Sequence, residues 1–109
     1  MIDPDYLKEF QAIYPEAQSL TDGGFDFIYI PKLALPEGNS PAEVEALLCP
    51  QMRDGYMTRL FLSTPVPGKA TNWTQHHILG RTWHSWSWQN VQADQKYVQI
   101  LLGHLAVFR

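Results

Sequence analysis

The stretch FDFIYI, residues 25–30, decides the fold. It follows a DGG turn signal at residues 22–24 and is rich in aromatic and β-branched side chains, a composition typical of a strand. Successive side chains of a strand point to opposite faces. One face then carries Phe25, Phe27 and Tyr29, and the other carries Ile28 and Ile30. Because both faces are apolar, we expect a central strand that is covered on both sides.

Apolar side chains at helical spacing lie near both ends of the chain. Asp3 and Pro4 form a helix-start pair, so a first helix is predicted over about residues 4–14. Asp94 is predicted to cap a closing helix. The apolar stripe of that helix consists of Tyr97, Val98, Leu101, Leu102, Leu105 and Phe108. Its tip at Phe108 offers a contact for a homo- or hetero-oligomer.

The middle of the chain contains further strand and loop signals. Apolar runs at residues 44–49 and 58–63 predict two more strands. Prolines and glycines predict loops over residues 31–41 and 64–70. Residues 72–90 show no clean period, and we expect an irregular, partly extended segment there. This order predicts an α+β fold with the helices against one face of an antiparallel sheet.

Composition excludes several classes of function. A net charge of -3 with only 8 Lys plus Arg leaves no basic surface for phosphate contacts, so we expect no nucleic-acid partner. No apolar run approaches the roughly 20 residues that a membrane-spanning helix needs, and we expect no membrane partner. The first residues, MIDPDYLKEF, lack the features of a secretion signal, and a single cysteine excludes an internal disulfide. Both observations favour a cytoplasmic protein.

Cys49 is the only thiol available as a nucleophile. A catalytic cysteine needs an exposed, electropositive setting that favours the thiolate. Cys49 instead follows Ala46, Leu47 and Leu48, and a free cysteine in an apolar strand is typically a small buried hydrophobe. We therefore expect no catalytic residue, with Cys49 as the weak candidate.

Four histidines raise the alternative of a metal-dependent hydrolase, since imidazole is the commonest zinc ligand. Their spacing argues against it. His76 and His77 point to opposite faces of an extended chain, and no two histidines lie three or four positions apart. A serine hydrolase built on Ser85 or Ser87 with His84 lacks a glycine turn to present the nucleophile. We expect no metal and no cofactor.

The segment GRTWHSWSW, residues 80–88, holds three of the four tryptophans. Trp86 and Trp88 share one face of an extended segment, and Trp83 points away from them. We expect Trp86 or Trp88 in the core, with Trp83, His84 and Arg81 closer to solvent. Tryptophan and arginine are the residue types most enriched at binding hot spots. The candidate binding residues are Arg81, Trp83, His84, Trp73 and His76.

Several segments together resemble a bacterial branch of the ubiquitin-conjugating-enzyme (UBC-like) superfamily, prokaryotic ubiquitin-conjugating family E. They are the two helices, FDFIYIPKLALPEGNSPAEVEALLCP (25–50), RLFLSTP (59–65) and LGRTWHSWSW (79–88). The most specific parts are YIPKLALPEG and GRTWHSWSW. The resemblance implies one UBC-like domain over residues 1–109, with an N-terminal helix, an antiparallel meander of about four strands, an irregular aromatic segment and a C-terminal helix. The strand that periodicity does not reveal is expected at residues 16–20.

An active member of this superfamily, as the resemblance implies, carries its nucleophilic cysteine after the last strand, near a His-Pro-Asn type motif. The corresponding residues 64–83 contain no cysteine, and Cys49 lies one strand too early. Carrying a modifier as a thioester requires a thiolate. The resemblance therefore implies a non-catalytic protein that binds a bacterial ubiquitin-like protein or another component of its conjugation operon, in systems linked to phage defence. An active carrier that uses Cys49 is the alternative.

Overall fold

An antiparallel sheet with helices on one side forms the part of the chain that the computed structural model describes, residues 1–66 and 68–109. That part contains two α-helices, six strands and a final 3₁₀ turn. In chain order they are α1 (Pro4–Ile13), β1 (Gln18–Asp22), β2 (Phe25–Ala34), β3 (Glu43–Cys49), β4 (Arg59–Leu62), β5 (Thr74–Ile78), β6 (Arg81–Ser85), α2 (Tyr97–Leu105) and the 3₁₀ turn (Ala106–Phe108). The α+β class is as predicted.

Helix α1 begins and ends where the sequence predicts. The Asp3 carboxylate accepts hydrogen bonds from the backbone N–H groups of Asp5 and Tyr6, at 2.9 and 3.1 Å, and so caps the first turn. The backbone N–H of Asp3 also donates to the Tyr97 hydroxyl at 2.6 Å, which joins the start of α1 to the start of α2.

Helix α2 departs from its prediction in two ways. Its N-cap position is Lys96, with no side-chain cap, so the prediction that Asp94 caps the helix is wrong. Leu102 is 45% exposed, because the face turned to the sheet carries Ile100, Leu101 and His104 instead. Neither helix in the described residues is long and apolar enough to cross a membrane.

The sheet has the strand order β1-β2-β3-β4-β6-β5, with all neighbours antiparallel. Strand β2 pairs on both sides, as predicted for FDFIYI. It also continues through Pro31 to Ala34, where a loop was predicted. The register shifts between Ile30 and Leu33, and a bulge of this kind lets a proline stay within a paired strand.

The predicted irregular segment at residues 72–90 is wrong over most of its length. It contains a hairpin of β5 and β6, and the sheet therefore has six strands in the described residues rather than about four. The two-residue turn is Leu79-Gly80, with φ of 53° and 75°. This turn has no asparagine or aspartate, the usual partners of glycine in such a hairpin, so periodicity and turn signals both miss it. Strand β1, predicted at residues 16–20, spans Gln18–Asp22.

The two faces of the sheet each bury an apolar cluster. The helix-side core lies between the sheet and both helices and includes Phe10, Ile28, Ile30, Leu48, Leu60, Leu62, Trp86, Ile100, Leu101 and Phe108. On the opposite face lies the enclosed core, which consists of Phe27, Leu47, Cys49, Phe61, Ile78 and Trp83. Each of these six residues is 0 or 1% exposed.

The sheet curls to cover the enclosed core. The backbone N–H of Leu79, at the tip of the β5–β6 hairpin, donates to the Asp22 carboxylate at 3.0 Å. This bond joins the last strands of the sheet order to β1, the first. The hairpin thereby lies over the inner face of the sheet and excludes solvent from it.

Candidate functional site

The five candidate binding residues lie on two different faces of the sheet. Residues directly opposite each other in an antiparallel pair point to the same side. His76 pairs with Trp83, which belongs to the enclosed core, so both face inward, as does Arg81. His84 pairs with Leu62 of the helix-side core, and Trp73 packs against that core. The five residues therefore do not form one site.

Trp83 is buried, and the prediction that it lies close to solvent is wrong. It is 1% exposed, and its indole Nε1–H donates to the backbone carbonyl of Ile78 at 3.1 Å. Its ring meets the edge of Tyr29 at 6.5 Å between centroids. The alternation of side chains along an extended chain correctly predicted that Trp83 and Trp86 point to opposite faces of the sheet. The curl of the sheet then buried the face on which Trp83 lies.

Arg81 is exposed, as predicted, and its charged group is engaged at the rim of the enclosed core. Its guanidinium donates to both carboxylate oxygens of Glu45, at 2.9 and 3.1 Å, and lies 4.4 Å from the ring centroid of Trp83. The Tyr29 hydroxyl donates to the same carboxylate at 2.7 Å. The hydrogen bonds from Arg81 and then Tyr29 lower the pKa of Glu45. This network fastens the hairpin to β2 and β3.

The remaining tryptophans support the helix-side core. Trp86 is 2% exposed and fills the core, as expected. Trp73 is half-buried, and its ring centroid lies 5.1 Å from that of Trp86. The Trp88 Nε1–H donates to the Gly103 carbonyl of α2 at 2.8 Å. Phe108 also packs on Trp86 and is 0% exposed, so the expectation of a free apolar tip is wrong.

Cys49 lies in the enclosed core, and its predicted burial is confirmed. The side chain is 0% exposed, with the sulfur 3.6 Å from the Gln51 carbonyl. Burial raises the pKa of the Cys49 thiol to about 11, although the nearby Arg53 acts in the opposite direction. At neutral pH the group is a thiol, which is neither a good nucleophile nor within reach of a substrate.

His104 and Ser85 are used in structural contacts. Among residues 1–66 and 68–109, no three His, Cys, Asp or Glu side chains are grouped to hold a metal ion. His104 is 2% exposed, and its Nε2 lies 2.8 Å from the Thr58 hydroxyl. Burial lowers the pKa of His104 to about 4. The Ser85 hydroxyl donates to the Leu60 carbonyl at 2.8 Å, so it is not free to act as a nucleophile.

The arginine cluster, consisting of Arg53, Asp54, Arg59 and His76, is the polar group that the sequence did not reveal. Three of its nitrogens surround Oδ2 of Asp54: Arg59 Nη1 at 2.9 Å, Arg53 Nε at 3.5 Å and His76 Nδ1 at 4.0 Å. The residues come from the β3–β4 turn, β4 and β5, so only the folded sheet brings them together. An arginine inside the apolar run of β4 was the signal available in the sequence.

A pocket in the described residues lies elsewhere. It is a shallow depression of about 110 Å³ between the end of α1 and β2, lined by Ile13, Tyr14, Pro15, Glu16, Ala17, Ile30, Pro31 and Lys32. Its titratable lining residues are Tyr14, Glu16 and Lys32, and no hydrogen bond or ion pair joins these three side chains to one another. The chain matches no protein-family model, no curated protein and no solved structure in the three comparisons made.

Proposed function

We propose that this chain is a non-catalytic relative of ubiquitin-conjugating enzymes that binds a ubiquitin-like protein, or another component of a bacterial conjugation operon. The observation that carries the proposal is the burial of Cys49 in the enclosed core. A thioester carrier needs a solvent-accessible thiolate, and this sulfur is neither accessible nor readily ionised.

The order of elements supports a UBC-like relationship. Helix α1 is followed by a meander of β1 to β4 in sequence order, and helix α2 closes the described fold on the same side as α1. The β5–β6 hairpin is the departure. It occupies the part of the chain where the resemblance places the reactive cysteine, and it is used to cover the inner face of the sheet.

The outward face of this hairpin is the surface we propose for the partner. Trp83 and Arg81 make their contacts on the inner side of the hairpin. The contacts with the partner are therefore made by the side chains that point outward. Those are Gln75, His77, Thr82 and His84, of which the first three are exposed and the last is half-buried. Strand β5 is also the last in the sheet order, so its outer edge offers backbone groups to an incoming strand.

A titration against the ubiquitin-like protein encoded beside this chain tests the proposal. Thr82→Asp places a charge on the proposed surface. Thr21→Asp makes the same change at an exposed threonine of β1. The expected result is a complex at micromolar concentration, weakened about tenfold or more by Thr82→Asp and unaffected by Thr21→Asp or Cys49→Ser. Absence of a complex at that concentration contradicts the proposal, and equal effects of the two threonine variants would exclude this surface.

The two alternative functions have direct assays. Incubation with the cognate activating enzyme, the modifier and ATP should give no reductant-sensitive adduct. An adduct that disappears in Cys49→Ser would establish the carrier instead. Elemental analysis of the purified protein should find no stoichiometric zinc, and zinc at one ion per chain would revive the metal-dependent hydrolase.

A further inference from the structure

The arginine cluster is built around the turn that joins β3 to β4. Arg53 and Tyr56 exchange two backbone hydrogen bonds of 2.9 Å, which places Asp54 and Gly55 at the tip of a two-residue turn. Both tip residues have positive φ, 55° and 84°. This conformation directs the Asp54 side chain back towards Arg59 on β4, to which it is hydrogen bonded at 2.9 Å.

The two arginines of the cluster are largely buried and make few hydrogen bonds. Arg59 is 5% exposed, and the Arg53 side chain is 17% exposed. A guanidinium has five N–H donors, yet within the described residues the pair makes one hydrogen bond, from Arg59 Nη1 to Asp54. The Nε atoms of both arginines are buried without an acceptor. Unpaired buried donors on a charged group are costly, so they mark a site with unused binding capacity.

The aromatic surroundings hold both guanidiniums in fixed positions. Both lie over the ring of Phe61, at 5.6 Å for Arg53 and 5.3 Å for Arg59. Arg53 also lies 4.5 Å from the ring centroid of Phe25, and Arg59 lies 4.3 Å from that of Tyr56. Guanidinium groups that are stacked on aromatic rings already hold their N–H donors in a fixed plane. They therefore lose little conformational freedom when an oxyanion binds.

The charges of the cluster do not balance. Two arginines face one carboxylate, that of Asp54, which is 43% exposed. His76 adds no negative charge. The cluster therefore carries one excess positive charge in an apolar setting, while the whole chain carries a net charge of -3.

We propose that the arginine cluster is a carboxylate-binding site, and that Asp54 occupies it in the free protein. An incoming carboxylate displaces the Asp54 side chain, which turns outward from the tip of its loop, and accepts hydrogen bonds from Arg53 and Arg59. A carboxylate fits better than a phosphate because the group that occupies the cluster in the free protein, the Asp54 side chain, is itself a planar carboxylate. The ligand is a small organic acid or the C-terminal carboxylate of a peptide. This site is separate from the hairpin surface and does not depend on the function proposed above.

Asp54→Asn is the decisive variant. It removes the internal competitor, and asparagine tolerates positive φ as well as aspartate, so the turn is retained. Asp94→Asn is the matched control, since it makes the same change of charge at an exposed aspartate far along the chain. Arg53→Lys keeps the charge and removes the fork geometry.

The measurement is a titration followed by the side-chain Nε–H signals of Arg53 and Arg59 in NMR spectra. The probes are sodium acetate, the tripeptide Ala-Gly-Gly, its C-terminal amide and inorganic phosphate, all at constant ionic strength. Acetate and the free tripeptide should shift both signals saturably. Asp54→Asn should bind them about tenfold more tightly than the native chain, Arg53→Lys more weakly, and Asp94→Asn equally.

The same titrations also distinguish the two kinds of ligand, small organic acids and peptide C-termini. Tighter binding of the tripeptide than of acetate assigns the site to peptide C-termini, and the reverse assigns it to small acids. The C-terminal amide of the tripeptide should not bind, whichever of the two ligands binds more tightly. The proposal is overturned if no probe gives a saturable shift in Asp54→Asn, if Asp94→Asn gains affinity equally, or if the amide or phosphate binds as tightly as the matched carboxylates.

Discussion

At the scale of single residues, His104 is the buried ionisable group with the clearest consequence. Its ring lies in the helix-side core, edge-on to Trp86 at 6.3 Å, and the Thr58 hydroxyl donates to the Val91 carbonyl at 2.9 Å. That hydroxyl is therefore an acceptor for His104 Nε2–H, which fixes the neutral tautomer. Burial, and then the charge of Arg59, lower the pKa of His104 from its ordinary 6.5 to about 4.

The stability of the protein should therefore fall in acid. In the unfolded chain His104 takes up a proton as the pH falls below 6.5, whereas in the folded chain it does so only near 4. The contribution of the neutral ring is fully present above pH 6.5 and is lost as the pH falls through about 4, roughly 3 kcal/mol in all. Urea unfolding between pH 7 and 4 measures it.

Substitution isolates the residue responsible. His104→Gln keeps a donor for Thr58 without a titrating ring, so its free energy of unfolding should vary less across that interval. His77→Gln, at an exposed position of β5, should keep the full dependence. Equal pH dependence in His104→Gln and the native chain would show that other groups control acid stability.

Trp83 and Arg59 mark the limit of sequence-based prediction at this scale. Alternation correctly assigned Trp83 and Trp86 to opposite faces, because that depends only on local backbone geometry. The prediction that Trp83 lies near solvent was wrong because no local feature of the sequence indicates that the inner face of the sheet is covered. Arg59 meets Asp54 and His76 only after three elements have come together, so the arginine cluster has no local signature.

At the scale of elements, the turn of the β5–β6 hairpin depends on glycine at position 80. Gly80 has a φ of 75°, and a Cβ built there meets nothing within 4 Å. Gly80→Ala should therefore destabilise the chain through backbone strain alone, by about 1 kcal/mol. Gly80→Asn should cost less, since asparagine tolerates this conformation. Thermal unfolding of the two variants measures the difference, and equal costs would mean that strain at this turn is not the cause.

The contact between Asp22 and the hairpin should hold the sheet in its curled form. Asp22→Ala removes the acceptor of the Leu79 N–H, whose hydrogen bond measures 3.0 Å. Hydrogen exchange at the Leu79 amide should accelerate about tenfold. Thr21→Ala, at the adjacent exposed residue of β1, should leave that amide protected. Unchanged protection in Asp22→Ala would show that the hairpin is held by its side chains alone.

The elements that the sequence predicted well are those with a local cause. Helix α1 has its Asp3 cap, and FDFIYI has two apolar faces, so both were identified. Strand β2 passes Pro31 because a bulge removes that residue from the hydrogen-bond ladder, which no local rule anticipates. The hairpin was missed because its strands carry polar side chains on both faces, with His76 and Arg81 on the same face as Trp83, and because its turn begins with leucine.

At the scale of the whole molecule, one sheet separates two cores, and the two should unfold together. Phe61 and Leu62 are neighbours on β4 that point into the enclosed core and the helix-side core respectively. Both are 0% exposed. Phe61→Ala should cost about 3–5 kcal/mol and Leu62→Ala about 2–5 kcal/mol. Tryptophan fluorescence and circular dichroism should report one shared transition for each variant. Separate transitions would show that the cores are independent.

The burial of Cys49 is the property on which the proposed function depends most. Alkylation of this single thiol by iodoacetamide at pH 8, compared between the native chain and the chain in urea, measures it most directly. We predict that the native thiol reacts at least about 100-fold more slowly than the unfolded one, because modification has to wait for the enclosed core to open. Similar rates in the two states would show an accessible, ionisable sulfur and would contradict a purely binding role.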